Sequence, residues 1–197
     1  MKKILYLICV LLILMTITYL ALTKMDLNLK YDVGDPIDSL DGVTVFYNGG
    51  IDNVTERNET KDGYNIGLSY QCVEFIKRYY LEHYKHKMPN SYGNAKNFFD
   101  KSLKDGQYNE NRGLYQYTNG SMSLPQKGDI LVYDSSLFNW YGHASIVSTV
   151  NKQAMELEVI QQNAGPFSSP RNKFSIDKKD NKIYIHNSHI LGWLSLH

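Results

Sequence analysis

Apolar and polar positions divide the chain into three stretches. Ile4 to Leu22 is an uninterrupted run of 19 residues without charge, glycine or proline. A helix needs about 20 such residues to cross a bilayer core. Lys24 to Asp41 is polar, with a turn signal at Gly34-Asp35-Pro36, and is expected as a tether. Val43 to Tyr47 has the look of a short strand, and Gly49 to Gly67, rich in Asn, Asp, Thr and Gly, that of a loop. Then the period lengthens. Cys72, Phe75, Ile76 and Tyr79 fall at i, i+3, i+4 and i+7, one face of a helix whose first turn holds Cys72. Ala95, Phe98, Phe99 and Leu103 suggest a second helix from about Asn94 to Lys104, and 105–125 reads as loop. Beyond Pro125 the apolar runs are strand-like: Asp129 to Tyr133, Ala144 to Val150, Leu157 to Gln161, Lys173 to Ile176, Ile183 to His186 and Ile190 to Leu194. Helices first and strands later indicate an α+β domain, helices packed on an antiparallel sheet. The expected division is 1–24 membrane segment, 25–41 tether and 42–197 a single folded domain.

Lys2 and Lys3 precede the apolar run, which directs the rest of the chain out of the cytoplasm. A cleaved signal peptide would have a shorter apolar core and a small-residue cleavage site. Ala21-Leu22-Thr23 matches such a site weakly, so an uncleaved anchor is the expectation and secretion the alternative. The 21 basic and 20 acidic residues give a net charge of +1, and no basic stripe stands out. Nucleic-acid binding by phosphate neutralisation is therefore excluded as an expectation.

Cysteine count changes the picture most. Of two cysteines, Cys9 lies in the apolar run, so the folded part has a single thiol, Cys72. A lone cysteine with histidines elsewhere is a candidate nucleophile, though a buried inert cysteine is the commoner outcome. At a helix start, backbone N–H groups favour the thiolate. A nearby histidine would complete the activation. Among six histidines, His83 lies roughly 16 Å along the helix from Cys72 at 1.5 Å per residue. His86 is beyond it, and His186, His189 and His197 lie by turns or the terminus. His143 stands at the mouth of a strand behind Gly142, a rigid platform for a base. The run Gln161-Gln162-Asn163 ends the next strand and supplies candidates to orient the imidazole, Gln161 and Asn163. Gln71, beside the nucleophile, is a candidate oxyanion donor together with the Cys72 N–H.

Tyr70-Gln71-Cys72-Val73-Glu74-Phe75, Gly128-Asp129-Ile130-Leu131, Gly142-His143-Ala144-Ser145-Ile146-Val147 and Gln161-Gln162-Asn163 together resemble the CHAP family, the cysteine, histidine-dependent amidohydrolases/peptidases. The resemblance covers about Gly42 to Leu194. Gly42 to Tyr47 and Ile190-Leu191-Gly192-Trp193 are most similar to the amidase domains of glutathionylspermidine synthetase/amidase and trypanothione synthetase. It implies a papain-like (NlpC/P60-type) α+β fold, Cys72 as nucleophile and His143 as base. The family's third residue is usually a Glu in a Glu-Gln-Asn run. Here the position is Gln161, which implies a neutral orienter. Some relatives bind calcium before the cysteine, but Asp62-Gly63-Tyr64 offers one carboxylate, so no metal and no cofactor is expected. Three functions stay open: an amidase or peptidase acting on peptidoglycan or another envelope peptide, a glutathionylspermidine-type amidase acting on a peptide–polyamine amide, and a membrane-anchored binding module.

Overall fold

The computed structural model describes residues 2–137 and 139–197, apart from the side chain of Leu22. An N-terminal helix, α1 (Lys2–Lys24), precedes two small hairpins. The first pairs β1 (Pro36–Leu40) with β2 (Val43–Phe46), the second β3 (Arg57–Glu59) with β4 (Asn65–Leu68). Next come α2 (Cys72–Tyr84) and a 3-10 turn, Ala95–Phe98. The remaining strands are β5 (Gln107–Asn109), β6 (Leu114–Thr118), β7 (Ile130–Tyr133), β8 (His143–Asn151), β9 (Glu156–Ile160), β10 (Arg171–Lys179), β11 (Lys182–Ile185) and β12 (Ile190–Ser195). They form one antiparallel sheet in the order β11-β10-β9-β8-β7-β12-β6-β5. The molecule is thus mixed helix and sheet with a large antiparallel sheet and one apolar N-terminal helix.

The central strands are apolar at almost every position because both faces of the sheet are covered. Ile130, Val132, Ala144, Ile146 and Ile160 pack with Phe75, Ile76, Tyr79 and Tyr80 of α2. Leu131, Val147, Leu157, Val159, Ile176 and Trp193 form a second cluster. Each such side chain contributes about 1.5–3 kcal/mol by leaving water. Helix α2 is enclosed beyond its apolar stripe. Glu74, Lys77 and Arg78 are buried too, so this helix is held by polar contacts as well as by hydrophobic ones.

Four sequence expectations are corrected. The second helix is only the turn Ala95–Phe98. The Gln116 side chain takes both the N–H and the C=O of Asp100, so the groups that would extend a helix are paired elsewhere. Among the described residues the domain therefore has one α-helix on its sheet rather than several. The expected loop at 49–67 holds the β3–β4 hairpin. The expected loop at 105–125 holds β5 and β6, which widen the sheet past β12. The segment 25–41 carries β1 in its second half, with Leu40 in the core.

Among the described residues α1 is the one helix long and apolar enough to cross a membrane, with a mean hydropathy of 2.6 over Lys2–Ala21 and none of that span buried. A signal anchor and a signal sequence both meet that description.

Candidate active site

Cys72 is the first residue of α2, and Gln71 is its extended N-cap. The chain enters that helix through Tyr70 at φ 65°, a left-handed conformation that is costly for a bulky side chain. Gly67, at φ 138°, lets β4 lie against the first turn, since a Cβ there would stand 3.1 Å from the Glu74 Cα. The backbone N–H groups of Ala144, Val73 and Cys72 itself lie close enough to the Cys72 sulfur to favour its thiolate. The thiol thus sits against the peptide that joins His143 to Ala144.

His143 opens β8 opposite Tyr133 of β7, with ring centroids 5.5 Å apart. Gly142 makes this corner possible. It has φ 73°, and a Cβ on it would fall 2.5 Å from the Tyr133 carbonyl and 2.7 Å from the Lys96 Cβ. Gln161 follows β9, and its Oε1 lies 3.0 Å from His143 Nε2. Its Nε2 donates to the Ser169 carbonyl at 3.1 Å. A carbonyl can only accept, so the Gln161 amide is fixed with its oxygen toward the imidazole. That oxygen in turn requires N–H at His143 Nε2, which leaves the Nδ1 lone pair as the acceptor of the neutral ring.

Electrostatics departs from the sequence expectation at one point. The helix start was expected to favour the thiolate. Burial outweighs it and pushes the Cys72 thiol up to about 11, although the three backbone N–H groups pull the other way. Burial likewise pushes His143 down to about 4, against the hydrogen bond it donates to Gln161. The resting pair is therefore neutral thiol and neutral imidazole. Moving the proton from thiol to imidazole before substrate arrives is therefore uphill, since burial opposes the charge on both groups.

The other two expected site residues lie together, away from the imidazole. Asn163, at φ 57°, donates from Nδ2 to the Ile51 carbonyl at 2.8 Å and to Gln71 Oε1 at 2.6 Å. Gln71 Nε2 donates to the Asn53 carbonyl at 2.6 Å. The Gln71 amide is clamped at both ends. Asn163 Oδ1 is buried without a hydrogen-bond partner. The structure thus pairs Gln161 with His143, and Asn163 with Gln71.

Gln162 is the residue that sequence reasoning passed over. Its side chain is buried and holds the Gln run to the start of α2. Oε1 accepts from the Phe46 N–H at 2.7 Å, and Nε2 donates to the Gln71 carbonyl and to Glu74 Oε2, each at 3.0 Å. Glu74 is ion-paired to Arg78 at 2.6 Å in the same buried network. The available signal was alternation: in a strand-end run, the residue between two site-facing side chains points the opposite way. The five other histidines lie elsewhere. His83 stacks on Tyr79, His86 binds the Arg112 carbonyl and His186 meets Asp177, while His189 and His197 belong to the C-terminal turn and end.

A cleft of about 400 Å³ opens over Cys72. Ile51, Gln71, Cys72, Tyr92, Tyr141 and Asn163 are among its walls.

A cysteine at a helix start, set against the first residues of a sheet strand that begins with an oriented histidine, defines a cysteine/histidine hydrolase type of site. The comparisons name the group more closely. The sequence matches the CHAP domain over residues 61–163, just over half the chain, and the protein belongs to the CHAP domain family. Membership implies a cysteine/histidine amidase or peptidase. A curated relative is trypanothione synthetase of Crithidia fasciculata, 30% identical over 89 residues. That match covers 45% of this chain and only 14% of the relative. A solved structure described as "The crystal structure of Ly7917" aligns with a TM-score of 0.37 at 16% identity, over 64% of this chain and 53% of that one.

Proposed function

We propose that this protein is a cysteine amidase or peptidase that cleaves an amide bond through a thioester on Cys72. The observation that carries the reading is the fixed Gln161 amide. It holds His143 in the tautomer that offers a base at Nδ1, next to the peptide on which the thiol rests.

In this scheme Cys72 Sγ attacks the substrate carbonyl while its proton passes to His143 Nδ1. With the resting pair neutral, transfer and attack proceed together. The developing oxyanion is taken by the Cys72 backbone N–H and the Gln71 amide. Asn163 keeps that amide in place. His143 returns the proton to the leaving amine, and the thioester remains. Water, deprotonated by His143, then attacks the thioester and releases the acid and the thiol. No metal or cofactor takes part. On this reading 42–197 is a papain-like (NlpC/P60-type) domain, reached from α1 through 25–41.

For the substrate, the N-terminal helix favours an extracytoplasmic domain, anchored through Ile4 to Leu22 or secreted if the segment is cleaved, acting on peptidoglycan or another envelope peptide. A second reading, a glutathionylspermidine-type amidase, is favoured by the 30% identity to trypanothione synthetase. Incubation of the full chain in detergent with purified peptidoglycan and with glutathionylspermidine, and mass spectrometry for new amines, separates them. The first reading expects amines from peptidoglycan alone, and spermidine alone would replace it by the second. Silence on both substrates sinks both and leaves a binding module.

A further inference from the structure

The last turn of α1 does not end free of the domain. Thr23 is fully buried, and its carbonyl accepts the Asp52 N–H at 2.9 Å. Lys24 Nζ lies 3.0 Å from the Asp52 carboxylate and lines the active-site cleft. Gly50 packs so closely that a Cβ on it would stand 2.7 Å from the Thr23 carbonyl. Just beyond the helix, the Asp26 carboxylate accepts from the Tyr47 hydroxyl, and Asn28 Nδ2 donates to the Pro166 carbonyl at 2.8 Å.

Asp52 is flanked by the two residues whose carbonyls hold the site amides. Ile51 O receives Asn163, and Asn53 O receives Gln71. Pro166 follows Asn163 by three residues. The helix end therefore braces both loops that fix the Gln71 amide beside Cys72. We infer that the last turn of α1 is a positioning element of the active site, with Thr23 and the Lys24–Asp52 pair as its fastening, so that the active protein is the chain that retains its N-terminal helix.

The inference rests on the amidase reading for its catalytic readout and on geometry alone for a second one. The full chain in detergent micelles is compared with Gly50→Ala, Asp52→Lys and the charge swap Lys24→Asp/Asp52→Lys. Gly50→Ala forces the loop off the Thr23 carbonyl without changing a cleft side chain. We expect kcat to fall about tenfold in both single variants, since small misplacements at a site are costly. KM and the thermal midpoint should stay near those of the parent, and the swap should recover most of the loss. A merely structural joint would lower folded protein instead, with no rescue by the swap, and that result overturns the inference, as does wild-type kcat in both single variants. If the parent chain hydrolyses nothing, the amidase reading has failed, and hydrogen exchange decides the inference alone. Faster exchange at 51–53 and 163–164 in Gly50→Ala supports it, and unchanged exchange overturns it.

Discussion

Replacing Gln161 with Glu puts a carboxylate where an amide oxygen now lies 3.0 Å from His143 Nε2. An opposite charge that close raises a histidine by about 1–3 pK units. His143 starts at about 4, so its imidazolium becomes reachable near neutral pH. The thiolate–imidazolium pair then gains about 1.36 kcal/mol per unit, or about 10- to 1000-fold in population. The substitution also has a cost. Gln161 Nε2 now donates to the Ser169 carbonyl, and a carboxylate oxygen there cannot. An acceptor left unpaired costs about 1–3 kcal/mol. That predicts a melting temperature several degrees lower, at about 2–4 °C per kcal/mol for a chain of this size. The assay is the rate of iodoacetamide alkylation of Cys72 from pH 5 to 10, in a Cys9→Ser background. The parent rate should climb steadily toward the thiol's value of about 11. In Gln161→Glu a shoulder should appear near neutrality, with the rate at pH 7 raised at least about tenfold. A folded Gln161→Glu protein alkylated at pH 7 within about twofold of the parent would refute the reasoning.

Gln162→Leu removes the partner of the Phe46 N–H, the Gln71 carbonyl and Glu74 in a buried network, and should cost about 3–5 kcal/mol in urea unfolding. Gly142→Ala meets the Tyr133 carbonyl at a left-handed φ; it should lower stability by about 1–3 kcal/mol and displace His143, with activity falling more than the melting temperature would suggest. Acid stability carries a masked term. His143 folds with a lowered pKa, so its contribution is present above about 6.5 and lost as pH falls toward 4, whereas Asp129, raised by burial to about 6, gains stability over much of the same window. Asp129→Asn should unmask a loss of about 3 kcal/mol between pH 6.5 and 4, measured by denaturant titration at each pH; a flat profile would contradict the assignment.

Much of this fold was legible because burial imposes period on sequence. The face made by Cys72, Phe75, Ile76 and Tyr79 located α2, and its first residue is Cys72. Strands β7, β8, β9 and β12 were legible because both sides of the sheet are covered, which leaves near-continuous apolar runs. The likeness to the CHAP family, read from four short motifs, agrees with the family match. The hairpins β3–β4 and β5–β6 were not legible. Arg57–Glu59 and Gln107–Asn109 are polar and three residues long, with little apolar alternation to mark them. The 3-10 turn was overread as a helix because the contact that stops it, Gln116 on Asp100, comes from 16 residues away. At the site, residue types were readable but partners were not. The orientation of the Gln161 amide depends on Ser169, and the clamp on Gln71 depends on Ile51 and Asn53, all supplied by loops without a sequence signature. Helix position alone suggested an activated thiol, but how far burial opposes it is a property of the packed molecule.

The central claim is that Cys72 carries the acyl group. The most direct test is an acid quench of the full chain during turnover of whichever substrate it cleaves, followed by mass analysis of the peptide that contains Cys72. The account predicts a mass increase equal to the acyl half of the substrate, removed by hydroxylamine and absent in Cys72→Ala. Steady amide hydrolysis with an unmodified Cys72 peptide, or undiminished hydrolysis by Cys72→Ala, would contradict it.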